Sequence, residues 1–389
     1  MKKKYKIEKP IRLIELFGGI GSQAKALENI KANFESHVYC DFDKYATISY
    51  NVMFDTQYLP SDITVMTGED LRIKNKDEYE YILTYSFPCQ DVSQGGKGEG
   101  MSKGSGTRSG LLWEVERLLN ETKELPQILL MENVPQVIGK KFLGDFNKWT
   151  KALEELGYTN HYDKLMGTCF GIPQKRKRVF MVSILGDYDF EFPEGFELET
   201  TMRDYLEPSV EEKYYLSDRG LEYVISTHQR FISVDGVKQI GNYVTWEDKK
   251  GRLNTQDHRA FNKDVVGTIP AMERGIPKIV TKSGFFKDKK LIDHTASERF
   301  TKDIKDNTIS PTIKTKNHIG IIEQEDVDRY RIRKLTPREC WRLMGFTDQD
   351  FDKAKSAGIS DTQLYKQAGN SIIVPVLEAI FKQLLGGDE

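Results

Sequence analysis

Three stretches of this 389-residue chain carry side chains in settings that chemistry needs. The first is Ser86-Phe87-Pro88-Cys89-Gln90, a thiol directly after the apolar run Tyr81-Ile82-Leu83-Thr84-Tyr85. A buried strand that stops at a proline and presents a thiol at its carboxyl end is where an open α/β sheet places its chemistry, so Cys89 reads as a nucleophile. A free cysteine is more commonly a small buried hydrophobe, and the other stretches are what shift the reading. In the second, the run Ile128-Leu129-Leu130-Met131 ends at Glu132-Asn133-Val134-Pro135. If the sheet is parallel, Glu132 shares an edge with Cys89 and adds a general acid to the thiol. The third is Gly171-Ile172-Pro173-Gln174-Lys175-Arg176-Lys177-Arg178, which feeds the apolar strand Val179 to Ile184. Basic residues at the start of a core strand cannot all face solvent, so one or more should point inward.

The elements that must position these groups begin with a strand, Ile11 to Phe17, a glycine turn, Gly18-Gly19-Ile20-Gly21-Ser22, and a helix with Ala24, Leu27 and Ile30 at helical spacing. Strand, glycine turn and helix open a nucleotide-binding βα unit, because glycines admit a ligand close to the backbone. The spacing is not G-x-G-x-x-G, so a dinucleotide pyrophosphate is not the expected guest. The run His37-Val38-Tyr39-Cys40 ends at Asp41-Phe42, ~20 residues beyond the turn, where an acid can take both hydroxyls of a ribose. Phe42 could lie against an adenine, and Asp62-Ile63 could pair its amine and cover the ring. Together these favour an adenosine-type cofactor. After Cys89, the glycine-dense stretch Gln94 to Gly106 reads as a surface loop or a closing lid. Helices are expected over Arg108 to Asn120 and Phe146 to Leu156, the latter stopped by Gly157.

Composition bounds the rest. A chain of this length suggests two domains, and 30% charged with 38% hydrophobic residues is a globular balance. The net charge of −2 gives no global attraction to a polyanion, so a nucleic-acid surface must be a local concentration of Lys and Arg. Cys40, Cys89, Cys169 and Cys340 lie far apart and the six His show no ligand spacing, so neither a metal site nor a disulfide framework is expected. The basic start Met1-Lys2-Lys3-Lys4 lacks a following apolar segment, and nothing approaches a membrane-spanning length. A cytoplasmic location is the resulting expectation.

Phe17-Gly18-Gly19-Ile20-Gly21, Pro88-Cys89-Gln90, Glu132-Asn133-Val134 and Gln174-Lys175-Arg176-Lys177-Arg178 resemble ordered motifs of the bacterial and phage-type DNA (cytosine-5) methyltransferases. Arg333 to Cys340 and Gln367-Ala368-Gly369-Asn370-Ser371 resemble two more. The resemblance covers roughly residues 11 to 186 and 331 to 385. It implies an α/β fold, a Rossmann-like mixed sheet flanked by helices that uses S-adenosyl-L-methionine and releases S-adenosyl-L-homocysteine. It further implies a smaller, irregular, β-rich target-recognition domain. The catalytic domain is then 1–186 with 331–389, and the recognition domain 187–330.

By this resemblance Cys89 attacks C6 of a flipped-out cytosine, so that C5 becomes nucleophilic enough to take the methyl group. Glu132 contacts N3 and the exocyclic amine, Arg178 holds O2, and Arg176 supports the thiolate loop. The nearby cations are expected to lower the Cys89 pKa. Cofactor contacts carry over to Phe17, Gly19, Ile20, Gly21, Asp41, Phe42, Asp62, Ile63, Pro88, Leu111, Asn370 and Ser371. DNA contacts carry over to Gln90, Ser93 and Lys97. Phe42 stands where the family often has Trp, and Ser22 where a further Gly is common, which puts close backbone approach at Ser22 in doubt.

The stretch from about 187 to 330 opens with an expected linker, Asp187 to Pro193, and continues with short β-like runs such as Val265 to Pro270 and Thr308 to Ile313. Between Met272 and His318 stand 11 Lys or Arg against 6 Asp or Glu, a modest excess that suits DNA phosphates. A helix should start at Thr336-Pro337, and the final helix should bury Ile373, Val376, Leu377, Ile380, Phe381 and Leu384 on one face. The resemblance implies that this last helix packs beside the glycine turn. The partner implied is double-stranded DNA, methylated by a monomer, with a cognate restriction endonuclease as a candidate companion. Two rivals share the fold. A tRNA cytosine-5 methyltransferase carries a Cys-Phe-Thr trio in its target region, whereas this chain offers only Cys169-Phe170-Gly171, and a DNA-binding regulator without catalysis does not need Cys89, Glu132 and Arg178 intact.

Overall fold

The computed structural model describes residues 3–93, 99–215 and 333–387 throughout, and between 216 and 332 the backbone of several short strands. Its centre is a six-stranded sheet of β1 (Ile11–Leu16), β2 (Phe34–Cys40), β3 (Glu80–Tyr85), β4 (Ile128–Asn133), β5 (Tyr158–Met166) and β6 (Lys177–Leu185), in the order β2-β1-β3-β4-β6-β5. β1, β2, β3 and β4 pair in parallel, whereas β6 runs antiparallel to both β4 and β5. β1, β3 and β4 are buried almost end to end, which explains their continuous apolar runs.

The strand β5 was not anticipated. Its sequence Tyr-Thr-Asn-His-Tyr-Asp-Lys-Leu-Met is mostly polar because it forms the sheet edge and is half-exposed.

Register and direction set the working edge. Leu16 pairs with both Cys40 and Tyr85, and Tyr85 with Met131, so Phe17, Asp41, Ser86 and Glu132 leave the sheet side by side. Because β6 is antiparallel, with Asn133 opposite Val179, its beginning lies on that same edge. The connections from β1 to β2 and from β2 to β3 run to opposite sides of β1, which makes this edge a topological switch point where open sheets bind ligands.

Helices α1 (Ser22–Asn29), α2 (Lys44–Phe54), α3 (Leu112–Glu121) and α4 (Leu143–Glu155) cover the sheet. The expected helix over Arg108 to Asn120 thus begins as a single 3₁₀ turn, Ser109–Leu111, and turns α-helical at Leu112. The carboxyl-terminal part supplies α5 (Pro337–Arg342), α6 (Asp348–Ser356), α7 (Asp361–Asn370) and α8 (Val374–Leu384). Thr336 caps α5 through a reciprocal box with Glu339, with Pro337 at the first turn. α8 packs on α1, burying Val376, Leu377, Ile380, Phe381 and Leu384 in the core that also holds Ala24 and Leu27.

The stretch expected to be a linker is instead part of this body. Tyr188–Asp189 pairs with Lys3–Lys4, and Phe190, Met202, Leu206 and Tyr214 are buried with Trp341 and Leu364. Beyond it, Lys278–Thr281, Tyr330–Lys334, Gly320–Gln324 and Lys289–Ile292 form a four-stranded antiparallel sheet, and Val266–Gly267 pairs with Gln174–Lys175. Thr308 to Ile313 and most of the Met272 to His318 basic stretch lie outside the described residues. Among the described residues no helix is long and apolar enough to cross a membrane.

Candidate active site and cofactor cradle

The glycine turn is held open by its neighbours. Phe17 takes a left-handed φ of 57°, a conformation bulky side chains avoid, directly where β1 ends. Gly21 has φ 80°, and a Cβ there would lie 2.5 Å from the Phe54 ring and 2.6 Å from Tyr50. At Gly19, with φ 55°, a Cβ would meet nothing within 4 Å. The turn therefore leaves free space on one side and close packing on the other, which suits a ligand lying against the backbone of Gly19. Tyr39 Oη donates to the Gly19 carbonyl at 2.8 Å, and the Asp41 carboxylate accepts from Gly19 N at 2.8 Å and from Asp43 N at 2.7 Å. Each of these two carboxylate oxygens retains a second lone pair for a hydroxyl. Burial raises the Asp41 pKa, and the two backbone N–H groups oppose that shift.

Phe42 stands 80% exposed beside Asp41, and Ile63 is buried. Asp62 caps the turn Ile63–Val65, its Oδ1 accepting from Thr64 N at 2.9 Å and Thr64 Oγ1 at 2.8 Å. The far wall comes from the other end of the chain. α7 ends at Asn370, which is exposed, and Ser371, which is buried. Ser22, where a glycine was expected, accepts a hydrogen bond from Ile372 N at 3.1 Å and so joins α1 to that wall. Gln367 donates to Tyr45 O and Ser49 Oγ, both at 2.9 Å, and Lys366 reaches Asp43 at 2.5 Å. The residues expected around an adenosine thus meet at one switch point.

The chemistry-bearing side chains gather along the same edge. Glu132, 8% exposed, lies 3.0 Å from Arg178 Nε through its Oε1. That contact is an ion pair without an aligned hydrogen bond, since Oε1 accepts none of good geometry. Burial raises the Glu132 pKa, with Arg178 and then Arg176 pulling it down. Arg176 is buried, and its Nη2 donates to the carbonyls of Gly369 at 3.0 Å and Ser371 at 2.6 Å. Loss of solvation, followed by repulsion from Arg178, pushes its pKa down to about 9. Arg176 therefore ties the start of β6 to the wall that follows α7.

Cys89 is partly buried and feels the charges of Arg178, Glu132 and Arg176. Arg178 and Arg176 do lower the Cys89 pKa as expected, but the expected net fall, which would make the anion accessible near neutral pH, does not follow. Burial raises it by more than Arg178 and Arg176 lower it, and Glu132 adds to the rise, so the resting sulfur is a thiol.

The loop that carries Cys89 is fixed at successive carbonyls. Asn133 Nδ2 donates to Phe87 O at 2.9 Å, Ser109 Oγ to Pro88 O at 2.6 Å, and Val92 N and Ser93 N to Cys89 O at 3.1 and 2.8 Å. Gln90 is exposed and its Oε1 accepts from Arg108 Nη1 at 2.7 Å. Leu111 follows Ser109 in the same turn, half-buried against the core that Cys89 and Phe17 also flank. Of the lid expectation, residues 94 to 98, including Lys97, lie outside the described residues. The remainder is folded onto α3 and α4, with Trp113 Nε1 donating to Met101 O at 2.7 Å and Ser102 Oγ to Asp145 at 2.6 Å. Sequence reasoning assigned no role to Asp91, Ser109 or the side chain of Asn133. The available signal for Ser109 was a small polar residue at the start of a helix, directly before Leu111.

An open sheet with a glycine-turn cradle at its switch point, and a thiol, a carboxylate and two arginines on the adjoining edge, defines a nucleotide-cofactor transferase of the doubly wound class. The family model for C-5 cytosine-specific DNA methylase matches residues 11–386, and the chain belongs to that family. It transfers the methyl group of S-adenosylmethionine to C5 of a cytosine in DNA, by the family's general route through a covalent bond from a cysteine to C6.

The type II methyltransferase M2.ScrFI of Lactococcus lactis subsp. cremoris is 37% identical over 304 residues, which span 78% of this chain and 66% of that protein. The orphan methyltransferase M.SPBetaI of Bacillus phage SPbeta is 27% identical over 457 residues, spanning 96% and 97%. Among solved structures, the Entamoeba histolytica methyltransferase EhMeth superposes with a TM-score of 0.62 at 17% identity, covering 97% of this chain and 99% of that one, which speaks for the fold.

Proposed function

We propose that Cys89 is the nucleophile of this methyltransferase, with Glu132 and Arg178 acting on the target base and Arg176 holding the cofactor wall against the nucleophile's loop. The observation that carries this reading is the convergence of Cys89, Glu132, Arg176 and Arg178 on one strand edge beside the glycine turn.

The Cys89 thiol gives its proton to solvent and the thiolate adds to C6. The C5=C6 electron pair moves toward C5 while N3 takes a proton from Glu132. Arg178 holds O2 and favours both the thiolate and the charge that builds in the ring. S-adenosylmethionine, when bound, supplies a methyl group on a sulfonium, an electrophilic carbon. C5 forms its new bond there, and the S–CH3 pair stays with the cofactor's sulfur as S-adenosylhomocysteine. On the methylated ring a water takes the C5 proton, the C–H pair restores C5=C6, and the C6–S pair returns to the Cys89 sulfur as Glu132 regains its proton.

In the cradle, Asp41 takes the ribose hydroxyls, Phe42 and Ile63 flank the adenine and Asp62 accepts from its amine. Phe17, Gly19, Ile20, Gly21, Pro88, Leu111, Asn370 and Ser371 complete the pocket. Gln90, Ser93 and Lys97 contact DNA.

We assign residues 1–186 and 331–389 to catalysis and 187–330 to target recognition, with the described part of the latter docked on α5 and α7. The enzyme works as a monomer in the cytoplasm on duplex DNA. Relatives named type II and orphan both occur, and a companion endonuclease is assigned on the type II likeness.

The test is transfer of labelled methyl to duplex DNA by the wild type and by Cys89→Ala. The expected product is 5-methylcytosine from the wild type alone, with DNA binding retained by the variant. Turnover by Cys89→Ala, or label recovered on an exocyclic nitrogen, would overturn the reading. Competition with tRNA in the same assay separates the two polynucleotides.

A further inference from the structure

Ser109 is wholly buried, and the hydrogen bonds of its hydroxyl and its N–H go to the loop that carries Cys89. Its Oγ donates to Pro88 O at 2.6 Å and accepts from Asp91 N at 3.2 Å, while its own N–H donates to Asp91 Oδ2 at 3.0 Å. The hydroxyl rotor is therefore locked, with its one proton committed to Pro88 and its acceptor side engaged by Asp91. Pro88 C=O and Cys89 N–H belong to one peptide plane, so fixing the oxygen fixes the plane and the N–Cα bond of Cys89. The set φ of Pro88 stiffens the approach to that plane, and Val92 N and Ser93 N hold Cys89 O on its other side, so the direction of the Cys89 side chain is fixed from both peptides. Asn133 holds the preceding carbonyl from β4, so Ser109 is the side chain that acts nearest to the nucleophile's own peptide.

We propose that Ser109 is a positioning residue for the methyl-transfer reaction, orienting the Cys89 sulfur toward C6 through the Pro88–Cys89 peptide, with Asp91 holding Ser109 in register. Leu111, two residues along in the same turn, is assigned to the cofactor pocket, so a single turn at the start of α3 serves both the methyl donor and the nucleophile. The proposal rests on the assignment of Cys89 as nucleophile.

Sulfur addition can be read directly on a long mixed-sequence duplex carrying 5-fluorocytosine in place of cytosine. There C5 bears no removable proton, so once C5 has also taken the methyl group the C6–S bond cannot be released by elimination and persists as a protein–DNA adduct resolved by denaturing electrophoresis. With full-length protein and S-adenosylmethionine, Ser109→Ala is expected to slow adduct formation per active site about ten- to a hundredfold. Affinity for the duplex at fixed salt and for S-adenosylhomocysteine should stay within about twofold, while loss of the buried hydroxyl lowers the thermal midpoint modestly whatever its role. A purely structural role would lower the midpoint or the folded fraction and leave the rate per active site unchanged, which overturns the proposal.

Should Ser109→Ala not fold, Asp91→Ala carries the test, because Ser109 keeps its hydroxyl and loses its anchor. A smaller slowing supports the proposal, and a wild-type rate overturns it. Cys89→Ala separates the layers. Adduct formed by that variant sinks the nucleophile assignment itself, whereas no adduct from it, together with wild-type speed from Ser109→Ala, sinks the role of Ser109 alone.

Discussion

The cradle and the reactive edge lie side by side, yet they are built on opposite terms. Around the glycine turn polar groups are held by backbone partners: Asp41 accepts from two backbone N–H groups, Ser22 from Ile372 N, and Tyr39 donates to Gly19 O. On the reactive edge buried charges face one another. Glu132 Oε1 has a cation at 3.0 Å without an aligned hydrogen bond, Arg176 has its pKa depressed to about 9, and Cys89 holds its proton more tightly than a free thiol. The first region is built on backbone contacts that stand before any ligand arrives, and the second on buried charge that an incoming ring could engage. Electrostatic groups fixed in advance where charge will develop are what transition-state stabilisation requires. Substitutions in the cradle should therefore be felt as weaker cofactor binding, and those on the edge as lost turnover.

The largest separation is expected from Glu132→Gln. The amide keeps the shape and one acceptor but cannot protonate N3, so kcat should fall about 10²- to 10⁴-fold with cofactor affinity nearly unchanged. Equal losses in kcat and cofactor affinity would erase the distinction between the regions. Arg178→Gln comes next. Arg178 is the largest influence lowering the Cys89 pKa, so its removal leaves the thiol still more protonated at neutral pH. Turnover should fall about 10- to 100-fold, and the rising limb of the kcat profile should move to higher pH. An unmoved limb would mean that Arg178 does not act on the sulfur.

Asp41→Ala probes the other side. It removes the acceptor of Gly19 N as well as the assigned ribose contact, so cofactor Kd should rise about tenfold or more while kcat at saturation changes little. Calorimetric titration with S-adenosylhomocysteine measures the first, and a saturating assay the second.

How far the sequence exposes this architecture depends on what each residue interacts with. Cys89, Glu132 and Arg178 were legible because unbroken apolar runs mark buried strands, and a polar residue at the end of such a run has one edge to occupy. The antiparallel entry of β6 brings its arginines to that edge, which the run of basic residues before an apolar strand foreshadowed. Ser109 and Asp91 were not legible, since their partners are backbone groups and leave no pairing signal in residue types. The proton affinity of Cys89 was misjudged for a related reason: the arginines can be read from sequence, whereas burial is a sum over the whole fold. β5 escaped because an edge strand needs no apolar run, and residues 188–215 because their few buried side chains, such as Phe190 and Met202, stand among polar neighbours.

The smallest effect on turnover is expected beneath the cradle, at Glu15. It is fully buried at the end of β1, accepting from Tyr50 Oη at 2.5 Å and from Ala24 N at 3.4 Å. Burial outweighs both bonds and raises its pKa from 4.5 to about 7. A carboxyl whose proton is held more tightly in the native state contributes stability in full below pH 4.5 and loses it as pH climbs through about 7. The amount lost is about 3 kcal/mol. Glu15→Gln keeps an acceptor for Tyr50 or Ala24 and cannot ionise, so it should cancel that dependence. In urea titrations its stability relative to the wild type should rise between pH 5 and pH 8, while kcat stays within about twofold. Glu15 thus tests whether the cradle's floor serves packing alone: a variant whose stability tracks the wild type across that window would place the pH dependence elsewhere, and one that lost turnover would move Glu15 across the boundary into the reactive edge.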